Sequence, residues 1–137
     1  MQVLIVDDSK VSLKVLSNML NKWGIVVDTA ENGIAAVREV QMNDFDLIFM
    51  DIQMEKLDGY KAADTIRNLK LSRSSKTPII ALTASIKPDI IEKIMKAGMD
   101  GYLLKTFNQQ EIHNIIKQYS GNNPLTNSPK KQPKLNK

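Results

Sequence analysis

Five short apolar runs, separated by stretches of helical spacing, are the feature that most limits how this chain can fold. The runs are four or five residues long, rich in β-branched side chains and nearly continuous, and they occupy residues 3–6, 25–29, 47–50, 79–82 and 101–104. Continuous apolar runs of this length are typical of strands that are buried on both faces. The pattern therefore predicts a parallel sheet of five buried strands.

The stretches between the runs carry apolar residues at the spacing of amphipathic helices. Their predicted core faces are Val15, Leu16, Met19, Leu20 and Trp23; Ile34, Val37 and Val40; Ala62, Ala63, Ile66 and Leu69; Ile90, Ile91, Ile94 and Met95; and Ile112, Ile115, Ile116 and Tyr119. Predicted helix caps are Ser9, Asn32, Asp58 and Asn108. Pro88 suits a first helical position, and Gly24 and Gly98 suit left-handed positions just beyond helix ends.

Strict alternation of strands and helices predicts an α/β fold, a (βα)5 doubly wound parallel sheet with helices on both faces. We expect a single domain over residues 1–119. Residues 120–137 are rich in Asn, Pro, Lys and Ser, so we expect them to form a basic, disordered tail or linker. The tail holds four of the 19 basic residues and none of the 15 acidic ones, so it accounts for the formal net charge of +4.

Composition and charge disfavour several function classes. Residues 1–119 are electrically balanced, so they lack the basic excess that specific nucleic-acid binding requires. The chain has no cysteine, which excludes disulfides, thiolate metal sites and cysteine nucleophiles. No apolar run approaches the roughly 20 residues of a membrane span, and no signal peptide is evident, so we expect a cytoplasmic protein. Glycine-rich nucleotide-binding motifs are absent as well.

Polar side chains follow four of the five predicted strands. Ligands of open α/β sheets bind at the carboxyl ends of the strands, where this chain places Asp7 and Asp8, Asp51, Thr83, and Lys105. Because like charges raise one another's pKa, three clustered carboxylates need compensation, for which a divalent cation and a buried lysine are the natural candidates. The expected ligands of Mg²⁺, which prefers oxygen, are Asp8 and Asp51, with Asp7 through water and the backbone carbonyl of Gln53.

A carboxylate beside a magnesium ion can act as a nucleophile toward phosphorus. Thr83 and Lys105 would then contact the oxygens of the transferred phosphoryl group. Phosphoryl transfer requires little beyond such positioning and charge neutralisation.

Four segments resemble, in order and in register, those of a response-regulator receiver domain: VDDS (6–9), FMDIQMEKLDGY (49–60), IIALTA (79–84) and AGMDGYLLKTF (97–107). The resemblance covers residues 2–119 and implies the flavodoxin-like strand order 2-1-3-4-5. The amino-acid sequences of these segments are most similar to those of receivers of hybrid sensor histidine kinases.

The resemblance implies a phosphoacceptor in a two-component or phosphorelay system, without an enzymatic activity of its own. Asp51 would take a phosphoryl group from a histidine kinase or a histidine phosphotransfer protein. The implied Mg²⁺ ligands are Asp7, Asp8, Asp51 and the backbone carbonyl of Gln53. The implied phosphoryl-contacting and switch residues are Thr83, Ala84, Tyr102 and Lys105.

Two positions depart from the family pattern. Glu55 stands where proline is usual, and its effect depends on whether the side chain faces solvent. Thr106 follows Lys105 where the family has a proline with a cis bond. A cis bond costs about 0.5–1 kcal/mol before proline but about 3–4 kcal/mol before other residues. The sequence leaves both states of the Lys105–Thr106 bond open.

Other functions remain as alternatives. A phosphatase with an aspartyl nucleophile would carry a second Asp two residues later, where this chain has Gln53, although slow self-dephosphorylation with Gln53 or Ser85 positioning water stays a hypothesis. A receiver-like interaction module that does not depend on phosphorylation is kept open by Thr106. The output partner and homodimerisation stay open too. We expect the output surface on the fourth helix, fifth strand and fifth helix, near Ile90, Ile94, Tyr102 and Ile112.

Overall fold

The computed structural model describes residues 1–70 and 74–120, so the predicted tail lies outside the described residues except for Ser120. Its strands are β1 Gln2–Val6, β2 Val26–Ala30, β3 Leu47–Asp51, β4 Ile79–Thr83 and β5 Gly101–Leu104. They form one parallel sheet in the order β2-β1-β3-β4-β5. The predicted strand order is confirmed, and each predicted strand lies within one residue of the observed bounds.

The helices follow the strands as predicted, and their ends are set by the expected caps. They are α1 Lys10–Lys22, α2 Gly33–Met42, α3 Gly59–Arg67, α4 Pro88–Lys96 and α5 Gln109–Gln118, with a short 3-10 turn at Ser74–Lys76. The side chains that accept a hydrogen bond from a first-turn backbone N–H are Ser9, Asn32, Asp58 and Asn108. Gly24 and Gly98 have φ angles of 78° and 91°, as expected just beyond helix ends.

The sheet divides the core into two layers because successive strand residues point to opposite faces. α2, α3 and α4 cover one face, where Leu4, Ile48 and Ala81 are buried. α1 and α5 cover the other face, where Ile5, Phe49 and Leu82 are buried. No helix among the described residues is long and apolar enough to cross a membrane.

The predicted helix faces are correct in their centres and wrong at some flanks. Val15, Ile34 and Met95 are 52%, 52% and 55% exposed. In α1 and α4 the adjacent residues Leu16 and Ile94 are buried instead, and neighbours in a helix point about 100° apart. In α2 the buried residues are Gly33, Ala36 and Val40, so Ile34 lies off that face. In α1 the core is instead formed by Leu13, Leu16 and Leu20.

The capping box of α5 offers a direct test of these local signals. Asn108 Oδ1 accepts a hydrogen bond from the Glu111 N–H at 2.8 Å, and Glu111 Oε1 accepts one from the Asn108 N–H at 2.9 Å. Asn108→Ala is expected to lower the free energy of unfolding by about 1 kcal/mol, measured by urea denaturation. Asn108→Asp keeps the acceptor and serves as control. An equal loss in both variants would contradict the role of the cap.

Candidate functional site

Parallel strands bring the predicted polar residues to one edge of the sheet. Val6 of β1 pairs with Met50 of β3, so Asp7 and Asp51 follow at the same level. Thr83 of β4 pairs with Leu104 of β5, and the Lys105 N–H donates to the Thr83 carbonyl at 2.8 Å. The structure therefore assembles residues from four strands that are far apart in sequence.

Three carboxylates form the centre of this edge. Asp7 and Asp51 are each 1% exposed, whereas Asp8 is exposed. One oxygen from each of Asp7, Asp8 and Asp51 lies within 4.8 Å of the others. Such proximity between carboxylates is unfavourable without a compensating positive charge.

Two backbone amides hold the buried carboxylates in place, and sequence analysis had not identified them. Asp7 Oδ1 accepts a hydrogen bond from the Ser9 N–H at 2.9 Å, and Asp51 Oδ1 accepts one from the Gln53 N–H at 3.0 Å. Both bonds join an Asp to the residue two positions later, which is a known local preference of Asp side chains. That preference was the available signal.

Lys105 supplies the positive charge. Its Nζ lies 3.1 Å from Asp51 Oδ2 and 3.5 Å from Asp7 Oδ2. No peptide bond in the described ranges is cis, so the Lys105–Thr106 bond is trans. The long lysine side chain thus reaches both carboxylates without the backbone geometry of the family's usual proline.

The electrostatics of the pair reflect its burial. Burial raises the pKa of Asp51 above its usual value, against the opposing effects of the Gln53 N–H and Lys105. Burial lowers the pKa of Lys105, but Asp51 and Asp7 more than offset this, so its pKa is raised overall. Lys105 is therefore held as a cation at neutral pH.

The cluster fits a divalent cation. Within the part of the chain that the structure describes, Asp51 Oδ2 is buried and faces the Lys105 ammonium at 3.1 Å, and no backbone N–H or hydroxyl group donates to it. Three carboxylates face a single ammonium, which leaves the site with an excess of negative charge. Oxygen donors and excess negative charge are what Mg²⁺ requires.

The residues implied as switch positions lie around this cluster in different settings. Thr83 is 3% exposed, and its hydroxyl is bound within its own loop, since it donates to the Ser85 carbonyl at 2.7 Å and accepts from the Ser85 N–H at 3.1 Å. Ala84 is exposed. Tyr102 is half-buried and packs against the core layer beneath α2, α3 and α4.

The structure also answers two questions about the surroundings of the site. Glu55 is exposed, which limits its effect on the buried carboxylates. Ile94 and Ile112 are fully buried residues of α4 and α5, so their side chains belong to the core beneath the predicted output surface and are not part of it. The exposed apolar side chains of α4 and β5 are Met95 and Leu104.

A groove beside Lys105 is a further feature that sequence analysis did not find. Residues of α1 and Phe107 in the loop after β5 line it, together with Asp7 and Lys105. Val11 and Val15 of α1 line the groove and are 73% and 52% exposed. The chain therefore presents an apolar surface directly beside the carboxylate cluster.

Comparison with known proteins places this geometry in context. A family model described as the response regulator receiver domain matches residues 3–117. Over 121 residues the chain is 36% identical to the sensor protein GacS of Pseudomonas syringae pv. syringae, covering 88% of this chain and 13% of that protein. It is 36% identical to the histidine-protein kinase BarA of Escherichia coli K12, covering 87% and 13%. The chain thus spans 13% of the length of these curated relatives.

Receiver domains and related signalling proteins of known structure share this fold. The receiver domain of the sensor histidine kinase PA1611 from Pseudomonas aeruginosa, solved with a magnesium ion in its active site cleft, has a TM-score of 0.81 at 36% identity, covering 88% of this chain and 97% of that one. The chemotaxis protein CheY4 of Vibrio cholerae has a TM-score of 0.80 at 30% identity, covering 86% and 97%.

Proposed function

Because the chain belongs to the response regulator receiver domain family, we propose that Asp51 is the residue that accepts the phosphoryl group. Receiver domains are the phosphoacceptor modules of two-component signalling, and this one is homologous to those of hybrid sensor kinases. The observation that carries the proposal is the setting of Asp51: a buried carboxylate that has one oxygen on the Gln53 N–H and the other 3.1 Å from the Lys105 ammonium, beside Asp7 and Asp8.

The chemistry follows from this arrangement. An oxygen of Asp51 forms a bond to phosphorus while the P–N bond of a donor phosphohistidine breaks, and the leaving imidazole nitrogen takes up a proton from solvent. The Gln53 N–H fixes the orientation of Asp51. Lys105 neutralises negative charge on the transferred group, which is the main task of catalysis in phosphoryl transfer.

A magnesium ion is the cofactor that the acidic cluster would hold. The residues for it are Asp7, Asp8, Asp51 and the backbone carbonyl of Gln53. When bound, Mg²⁺ supplies positive charge that offsets both the carboxylates and the phosphoryl oxygens.

Thr83 is the proposed switch residue. Its hydroxyl is bound to the Ser85 backbone in the unphosphorylated chain. A phosphoryl group on Asp51 adds about −1.5 to −2 charges and strong acceptor oxygens, which favour donation by Thr83 to the phosphoryl group instead of to Ser85. The loop after β4, which includes Ala84, would then move, and Tyr102 would follow on the adjacent strand.

The donor is a histidine kinase or a histidine phosphotransfer protein, and we propose that it docks on α1. The exposed Val11 and Val15 beside the groove give such a partner an apolar contact next to Asp7 and Lys105. We further propose that residues 1–119 are the functional unit and that it acts in the cytoplasm. The surface formed by α4, β5 and α5 is the proposed contact for the output partner or for a second copy of this chain.

The test of this function is phosphorylation by acetyl phosphate, followed by intact-protein mass spectrometry. The chain is expected to gain one phosphoryl group with Mg²⁺ and none with a chelator. Borohydride reduction of the product, followed by peptide mapping, is expected to place the modification on Asp51. Modification of another residue would contradict the assignment. No modification by acetyl phosphate or by a phosphorylated histidine phosphotransfer protein would favour the interaction module that does not depend on phosphorylation.

A further inference from the structure

The loop that follows Asp51 is held by α2 as well as by the sheet. This loop, residues 52–58, connects β3 to α3 and contains Gln53, whose N–H orients Asp51. Gly33 is the first residue of α2, and its N–H donates to the Lys56 carbonyl at 3.1 Å. The first N–H groups of a helix have no acceptor within the helix, so this one is free to bind the loop.

The contact leaves no room for a side chain at position 33. A Cβ atom on Gly33 would overlap the carbonyl oxygen of Leu57 and lie 2.9 Å from Leu57 Cβ. Leu57 itself has a φ angle of 54°, in the left-handed region that leucine rarely adopts. The loop is thus held in an unfavourable backbone conformation at the point where α2 contacts it.

The base of the loop is closed by a second glycine. A Cβ on Gly59 would overlap the Asp51 carbonyl oxygen and lie 2.6 Å from Ile52 Cα, and the Gly59 N–H donates to the Ile52 carbonyl at 3.4 Å. Asn32 fixes the start of α2 by accepting a hydrogen bond from the Ala35 N–H at 2.8 Å. Movement of the loop away from α2 would break the hydrogen bond between the Gly33 N–H and the Lys56 carbonyl.

We propose that Gly33 is a positioning residue for Asp51, acting through Lys56 and Leu57 on the loop that carries Gln53. The inference rests on the proposed function of Asp51 as phosphoacceptor. The contact keeps the Gln53 N–H on Asp51 Oδ1 and so leaves Oδ2 facing Lys105. Displacing the loop would turn the carboxylate while leaving every residue of the cluster in place.

Hydrogen exchange in the unmodified protein tests the contact directly. The Gly33 N–H binds the loop and not its own helix, so its protection reports on docking of the loop. We expect the protection factors of the Gly33 and Gln53 amides to agree within about threefold, because one opening exposes both. An unprotected Gly33 amide, or a tenfold difference between the two, would overturn the proposal.

Gly33→Ala tests the consequence, with Gly24→Ala as matched control. Unlike Gly33, Gly24 has a positive φ, of 78°, and a Cβ there meets nothing within 4 Å, so its substitution strains the backbone without touching the loop. With excess Mg²⁺ and acetyl phosphate, we expect Gly33→Ala to be phosphorylated about tenfold more slowly and Gly24→Ala within twofold of the unmodified rate. The Gln53 amide resonance is expected to shift in Gly33→Ala only.

Equal slowing in both variants would show a general effect of stability and overturn the proposal. The Gln53 resonance and the exchange data do not require phosphorylation. If the unmodified chain accepts no phosphoryl group, the proposed function fails while these two measurements still decide whether Gly33 positions the loop.

Leu57→Gly shows whether the effect passes through Leu57. Glycine removes the Leu57 Cβ and lets the carbonyl turn away at low cost. In the Leu57→Gly background, adding Gly33→Ala is expected to slow phosphorylation less than threefold. The double variant is also expected to fold even if the single variant Gly33→Ala does not. A tenfold slowing in both backgrounds, or failure of the double variant to fold, would contradict the assigned route.

Discussion

Asp51→Asn is expected to abolish phosphorylation and yet to make the metal-free protein more stable. The amide cannot accept the phosphoryl group, whereas its oxygen can still accept the hydrogen bond from the Gln53 N–H. The substitution removes a charge from a side chain that is 1% exposed and lies in a cluster with two other carboxylates. Burial outweighs the favourable contacts of the Asp51 carboxylate, and Lys105 keeps Asp7 as its partner, so replacing this charge by an amide is expected to stabilise the fold.

The pH dependence gives the sign of this effect. Burial raises the pKa of Asp51 above the reference value of 3.8, so the folded chain binds the proton more tightly than the unfolded chain does. The corresponding stability is complete below pH 3.8 and is lost as the pH rises through the folded-state pKa. In the presence of a chelator, the free energy of unfolding of Asp51→Asn should therefore exceed that of the unmodified protein as the pH rises above 3.8. The difference should persist at neutral pH.

Urea denaturation between pH 4 and 7 measures the difference. Asp58→Asn is the matched control, because Asp58 caps α3 and asparagine caps equally well, so its effect should be close to zero. Mg²⁺ at a hundredfold excess over its Kd should stabilise the unmodified protein by about 2.7 kcal/mol and Asp51→Asn by much less. If Asp51→Asn is less stable than the unmodified protein when both are measured with a chelator, this account of the cluster is refuted.

The positions of the polar site residues could be predicted from the sequence more completely than the buried faces of the helices. Asp7, Asp51, Thr83 and Lys105 could be predicted because each directly follows a run that is apolar on both faces, and parallel strands must end at the same edge. The helix caps could be predicted for a similarly local reason, since Ser9 or Asn108 acts on residues within one turn.

What could not be predicted depends on distances between elements. Val15 and Leu16 are both apolar, and only the packing of α1 on the sheet decides which of them is buried. The sequence left the Lys105–Thr106 bond undecided, because the reach of the lysine depends on where Asp7 and Asp51 lie. Gly33 gave no signal beyond being a glycine, since its constraint comes from Leu57, which is 24 positions away in the chain.

Lys105→Ala is expected to change metal binding and phosphorylation in opposite directions. The ammonium lies 3.1 Å from Asp51 and 3.5 Å from Asp7, so it competes with a cation for the same carboxylates. Its removal should strengthen Mg²⁺ binding, as measured by calorimetric titration. It should also slow phosphorylation by acetyl phosphate about 10²–10³-fold, because a charge aimed at the transferred group is lost.

The stability of this variant should depend on the metal. Removing one partner of a fully buried ion pair costs about 3–5 kcal/mol, but 34% of the Lys105 side chain is exposed, so we expect about 1–2 kcal/mol with a chelator. Excess Mg²⁺ should recover most of this loss. Lys96→Ala is the matched control, since Lys96 forms an exposed pair with Glu92 at 3.4 Å and should change neither the stability nor its dependence on Mg²⁺.

The opposite changes in Mg²⁺ affinity and in phosphorylation rate distinguish two roles for Lys105. If the lysine only held the carboxylates together, its loss would weaken or leave unchanged the binding of Mg²⁺, and saturating metal would restore the rate of phosphorylation. If it acts on the phosphoryl group, the rate stays low at saturating Mg²⁺ even though the metal binds more tightly. Lys105→Arg keeps the charge but not the compact ammonium. Its free energy of unfolding should therefore stay closer to that of the unmodified protein than its rate of phosphorylation does. A full recovery of rate by Mg²⁺ in Lys105→Ala would assign the lysine to the carboxylates alone.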